Sequence, residues 1–245
     1  PDPLVVFDGL QFSLIPEAET KTTVVQVGGR LTELATGDDG QFWVETRLQS
    51  DGQWDGARVK LSGRKLASQL ARLSDKIRMS DESKLSVDLK LKPRVDGGGV
   101  TATGALAMSD VGFLAPRIHG SEVKGLAVSM DLTAALDLAK NRLTLDLPQI
   151  QVNSKASFSL SAVVDQLDGK LPRMDVKFTM PRQSCQGVLD AVPDEMISRV
   201  RGLQLSGTTE GYLNFKVDLV KPRTFKWKID LDLRACRVDH DGSID

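Results

Sequence analysis

The sequence predicts a mainly β protein, a large, curled, mostly antiparallel sheet or a flattened barrel or sandwich, closed at its ends by two short helical segments. Three observations predict it. Apolar and polar residues alternate with a period of two in many separate stretches, as in FKWKIDLDLR at 225–234, the pattern of a strand with one greasy and one wet face. Turn-forming clusters such as GDDG, SDGQWDG, DGGG and QLDGKLP separate those stretches. Only two regions switch to helical spacing.

The elements follow in order. Leu10, Phe12 and Leu14, then Val25 and Val27, then Phe42, Val44 and Leu48 open the series of alternating sets. From Gly63 to Met79, Leu66, Leu70, Leu73 and Ile77 recur at helical spacing, which predicts a first helix over about 63–79 capped by Ser62. Leu85, Val87, Leu89 and Leu91 resume the strand period. Val128, Met130 and Leu132 lead into Leu136 and Leu138, then Leu143, Leu145 and Leu147, with AKN at 139–141 as the turn of a hairpin. Phe158, Leu160, Ala162 and Val164 form the next set, followed by Met174, Val176, Phe178 and Met180. Ser184 caps a second helical segment over about 184–201, kinked at Pro193 and ended at Gly202. Leu213, Phe215, Val217 and Leu219 precede the 225–234 strand. About ten to twelve strands are expected in a single domain spanning 1–245.

Composition removes several functions. Thirty-two basic and thirty-three acidic residues are interspersed and give a net charge of −1, so no electropositive field addresses a phosphate backbone and no nucleic acid partner is expected. No apolar run nears the eighteen or so residues of a membrane span. Any export signal or anchor is expected outside these residues. His119 and His240 are the only histidines, and Cys185 and Cys236 the only cysteines; none has metal-ligand spacing, so neither a metal nor a cofactor is expected. S-x-x-K occurs at Ser62–Lys65 and Ser121–Lys124, but without a K-T-G partner. Gly97, Gly99 and Ala102 match G-x-G-x-x-A, yet Val100, Ala102, Leu106 and Met108 continue in alternation instead of opening a helix. No catalytic residue is predicted. If the second helix packs against the end of the 225–234 strand, Cys185 and Cys236 meet and close a ring of about fifty residues; the alternative is two buried thiols.

LQLSGTTEGYLNFKVDL at 203–219 resembles a segment of AsmA-like proteins, with glycine-punctuated amphipathic strands and a short helix before a G-x-L-x-L-x-G-like turn. That resemblance implies the periplasm of a Gram-negative envelope, a membrane-anchored parent and a curled sheet whose concave apolar face accommodates lipid acyl chains. CQGVLDAVPDEMISRVRGLQLSGT at 185–208, with Cys236 following, is also similar to the region preceding the catalytic domain in envelope proteins that carry a family 51 peptidoglycan glycosyltransferase. The signatures of that catalytic domain are absent from these residues. Two functions are therefore expected in competition. One is a noncatalytic lipid-binding or lipid-guiding face lined by Leu85, Val87, Leu89, Leu91, Leu143, Leu145, Phe158, Leu160, Phe215, Val217, Trp227, Ile229 and Leu231. The other is a dry scaffold or regulatory region for an attached glycosyltransferase.

Overall fold

A computed structural model describes residues 6–32, 39–64, 78–80, 82–95, 98–114, 122–167, 172–197, 202–218, 226–232 and 235–238. Twelve strands form one continuous path. In chain order they are β1 (Val6–Glu17), β2 (Thr22–Thr32), β3 (Asp39–Gln49), β4 (Trp54–Arg64), β6 (Lys84–Pro93), β7 (Gly99–Leu114), β8 (Val123–Asp137), β9 (Arg142–Val152), β10 (Ala156–Asp165), β11 (Arg173–Ser184), β13 (Thr208–Asp218) and β14 (Lys226–Asp232). Every pairing along the path is antiparallel and joins consecutive long strands, so the sheet is a meander. The path is open, with β1 and β14 at its ends, rather than closed into a barrel. The short β5 (Arg78–Met79) pairs with the end of β7, and β12 (Leu205–Ser206) pairs with β15 (Arg237–Val238) in a separate two-stranded sheet.

Local chemistry fixes the turns. Asn153 and Ser154 carry φ of 49° and 54° between β9 and β10, the left-handed pair that a tight hairpin turn demands and that asparagine tolerates. Asn153 also ties this turn to its surroundings. Its Oδ1 accepts from the Ala127 N–H at 2.6 Å, and its Nδ2 donates to the Ala191 carbonyl at 2.9 Å. The predicted AKN turn lies between β8 and β9, where Asn141 takes φ 49°. Register shifts interrupt the ladders at several places, among them Asp8/Gln11 in β1–β2 and Met130/Thr133 in β8–β9; each locally bends and twists the sheet.

The helical expectations need revision. Residues 63–64 belong to β4 and 78–79 to β5, so the span 63–79 is not helical at either end; 65–77 lie outside the described residues. Alternation of Val59, Leu61 and Gly63 extends the strand through Ser62, which pairs with Ser86 instead of capping a helix. The second segment begins as expected. In α1 (Cys185–Ala191) the Ser184 hydroxyl accepts from the Gly187 N–H at 2.9 Å, satisfying a donor that the first turn leaves open. It ends early, because Pro193 forces Val192 into an extended conformation, φ −85° and ψ 128°. Residues 194–197 form a turn, and 198–201 lie outside the described residues.

Candidate apolar ligand surface

Strand register decides which side chains share a face, because directly opposed residues point the same way. One row of partners runs without interruption through all twelve strands: Leu14, Val25, Thr46, Ala57, Leu91, Ala102, Ala134, Leu145, Ala162, Val176, Phe215 and Trp227. Thr46 is its single polar member. The Thr46 hydroxyl is internally satisfied, donating to the Gly56 carbonyl at 3.1 Å and accepting from Trp54 Nε1 at 3.1 Å. A second row passes through Phe12, Val27, Val44, Val59, Leu89, Gly104 and Leu132. Beyond the register shift between β8 and β9 it continues as Leu147, Leu160, Phe178, Leu213 and Ile229. Twelve strands at about 4.8 Å spacing make these rows roughly 50 Å long.

By backbone register the thirteen predicted lining residues occupy positions of one face, the side chains of Val217 and Trp227 lying outside what is described. Leu85, Val87, Leu89 and Leu91 lie on β6; Leu143 and Leu145 on β9; Phe158 and Leu160 on β10; Phe215 and Val217 on β13; Trp227, Ile229 and Leu231 on β14. Leu85 is buried and packs with Phe42, Leu61, Val87, Leu106 and Met108. Most others are half-buried, while Ile229 and Leu231 on the outer strand are 55% and 51% exposed. Several contributors were not singled out from sequence. Ala57, Ala134 and Gly104 complete the rows, but alanine and glycine carry little hydropathy signal. Gly104 is also required sterically, since a Cβ there would lie 1.9 Å from the Asp88 carbonyl oxygen on the neighbouring strand.

No second sheet covers the rows among the described residues. Apart from sheet neighbours, the extended packing is that of α1 against β10, β11 and β12. Neighbours in the same sheet supply most of the contacts made by the described side chains of these rows.

The other face is ionic. Arg58 donates two hydrogen bonds to the Asp88 carboxylate, at 2.9 and 2.6 Å. This contact holds the Asp88 carboxyl below the usual carboxylate range. Lys60 Nζ lies 5.9 Å from the centre of the Trp43 ring and 3.9 Å from Asp88. Lys216 pairs with Asp175 at 2.6 Å. Shallow depressions over β1–β7 open on this charged side, beside Trp43, Lys60, Ser62, Ser86 and Asp88. Among the described residues there is no cluster of three or more His, Cys, Asp or Glu placed to hold a metal.

Cys185 and Cys236 are joined in a disulfide, with Cα atoms 5.8 Å apart. Cys236 precedes β15 and is not a continuation of β14, which explains its change of parity relative to that strand. The pairing is of the kind that persists in oxidising compartments. No described helix is long and apolar enough to cross a membrane. Comparison with protein-family models, with curated proteins and with solved structures found no match.

Proposed function

We propose that this chain is a noncatalytic, periplasmic β-sheet of the Gram-negative envelope whose apolar face holds or guides lipid-like acyl chains. The observation that carries the proposal is the pair of registered apolar rows, each spanning β1 to β14 with no covering layer among the described residues. An open apolar surface of this extent is unfavourable in water and marks a place where something apolar docks. A fully buried methylene contributes about 0.8 kcal/mol. One resting on an open face gains roughly half of that, so about a dozen methylenes contribute around 5 kcal/mol, a submillimolar grip. Such binding suits passage along the sheet better than storage in a pocket. The competing scaffold with a dry core needs a second layer over these rows.

Adjacent residues on opposite faces provide the test. Leu145 lies in the uninterrupted row, and Thr144 next to it is exposed on the charged face. Leu145→Asp is expected to lower uptake of a fluorescent fatty acid at least about fivefold, and Thr144→Asp to leave it unchanged, with both variants keeping the wild-type circular dichroism. Equal effects from the two variants, or no uptake by the wild-type protein and no acyl chains in its native mass spectrum, overturn the proposal.

A further inference from the structure

Among the described residues, the sheet ends in two strands that each lack one neighbour. Within the large sheet, the exposed large hydrophobic residues are those of these two strands: Leu10, Phe12, Leu14 and Ile15 on β1, and Ile229 and Leu231 on β14. An edge beside exposed apolar side chains is a template for another strand. The β1 edge is broken by the register shift at Asp8/Gln11, with Gly9 at φ 59°, a device that discourages pairing. The β14 edge has a regular register with β13 throughout Lys226–Asp232.

We propose that β14 is a dimerisation edge, pairing antiparallel with β14 of a second copy about a two-fold axis at Ile229. The sequence of β14 is self-complementary in that register. Lys228 faces Asp230 of the second copy, Lys226 faces Asp232, Trp227 faces Leu231, and Ile229 faces itself. Each charge on the wet face meets its opposite, and each apolar position meets an apolar one. A two-fold contact repeats these pairings, as an isologous interface must. Across β13–β14 the partners are of another kind: the Lys228 ammonium lies 5.3 Å from the centre of the Tyr212 ring, and Lys226 lies opposite Lys216, which itself pairs with Asp175 at 2.6 Å. Lys228 and Asp230 are both exposed on β14.

The interface rests on strand pairing alone and is independent of what the apolar face binds. Where both hold, the apolar rows of one copy continue into the next. Seven residues of edge are about 24 Å long, which places the contact at the small end of specific interfaces and its dissociation constant in the micromolar range or weaker.

Charge exchange tests the register. Sedimentation velocity at about 100 µM is expected to show a dimer of the wild-type chain. Lys228→Asp sets two carboxylates against each other across the axis, and Asp230→Lys sets two ammonium groups against each other at the same place. Each variant alone is expected to associate on the order of tenfold more weakly or less. An equimolar mixture of the two restores complementary charges at both pairs and is expected to recover a heterodimer, which a merely misfolded variant cannot do. Oxidation of Ile229→Cys is expected to give a covalent dimer, because directly opposed residues in antiparallel strands lie within disulfide reach. A monomeric wild-type chain at this concentration, a dimer indifferent to both charge reversals, or a mixture that fails to reassociate would each overturn the proposal.

Discussion

Replacing both cysteines, as Cys185→Ala with Cys236→Ala, is expected to destabilise the protein by about 4 kcal/mol. The two residues are 51 apart in sequence. Freeing a ring of that size restores roughly 14 cal/mol/K of entropy to the unfolded chain, about 4 kcal/mol at 25 °C. The folded side of the equilibrium has other ties at the same place. The Cys185 N–H donates to the Gly207 carbonyl at 3.1 Å, and the Leu205 N–H donates to Gln186 Oε1 at 2.6 Å. Leu205 and Ser206 pair with Val238 and Arg237. These contacts hold the ends of the ring together without the sulfur bridge, so the cost of its loss falls mainly on the unfolded ensemble. For a chain of this length, about 4 kcal/mol corresponds to a fall in Tm of roughly 8–16 °C. Urea unfolding followed by tryptophan fluorescence, with and without reductant, measures the effect on the wild-type chain. The double variant should match the reduced protein. Two reactive thiols in the unfolded, unreduced protein refute the pairing, and a shift below about 1 kcal/mol refutes the entropic account.

Gly104→Ala should cost about 1–3 kcal/mol in the same unfolding assay, because its Cβ would meet Asp88 backbone rather than a side chain able to swing away; an unchanged midpoint would show that β6 and β7 do not approach as closely as described. Acid should weaken the fold through two carboxylates. Asp88 is held low by the hydrogen bond from Arg58, and Asp137 by the hydrogen bond from the Lys140 N–H at 2.9 Å, with Arg94 and Lys140 adding charge attraction. Both titrate lower in the folded than in the unfolded chain, so their contribution is complete above the ordinary carboxylate range and disappears as pH falls through the folded values. Asp88→Asn with Asp137→Asn should therefore flatten the acid limb of stability against pH, and a limb as steep as the wild type would exclude these two groups as its source.

Strand identity was legible in the sequence because a period of two is local. Lys84–Pro93, Arg142–Val152 and Lys226–Asp232 each announce themselves through a few apolar residues on one parity. Register was not legible, since it depends on partners far away. Nothing local says that Ala162 sits between Leu145 and Val176, and alanines gain their place in the apolar row only through those neighbours. The boundary error at Gly63 has a similar cause. Leucines spaced for a helix begin at Leu66, whereas the β4 ladder persists to Arg64 because Leu85 and Lys84 are available to pair with Gly63 and Arg64. Cys236 was correctly paired although β15, which follows it, was not foreseen: β14 and β15 are separate elements, and the helix packs against β10, β11 and β12 while the disulfide joins it to Cys236.

A sheet with no covering layer among the described residues draws its stability from neighbours along the path, much as a repeat protein sums intrinsic and nearest-neighbour contributions. Each inner strand has two such neighbours, and each outer strand has one. The outer strands are then the places where opening costs least. The disulfide acts at one of them, because the ring from Cys185 to Cys236 encloses both β13 and β14. Its cross-link limits how far the β14 end can separate, and no described strand pairs with the outer edge of β14. An edge made resistant to fraying yet kept accessible is what strand addition requires, and it connects the position of the disulfide to the complementary charges on Lys228 and Asp230. At the opposite end, β1 has the bulge at Asp8/Gln11 and Gly9 in a left-handed conformation. The two ends of one meander are thus built differently, one interrupted against pairing and the other clamped beside a self-complementary strand.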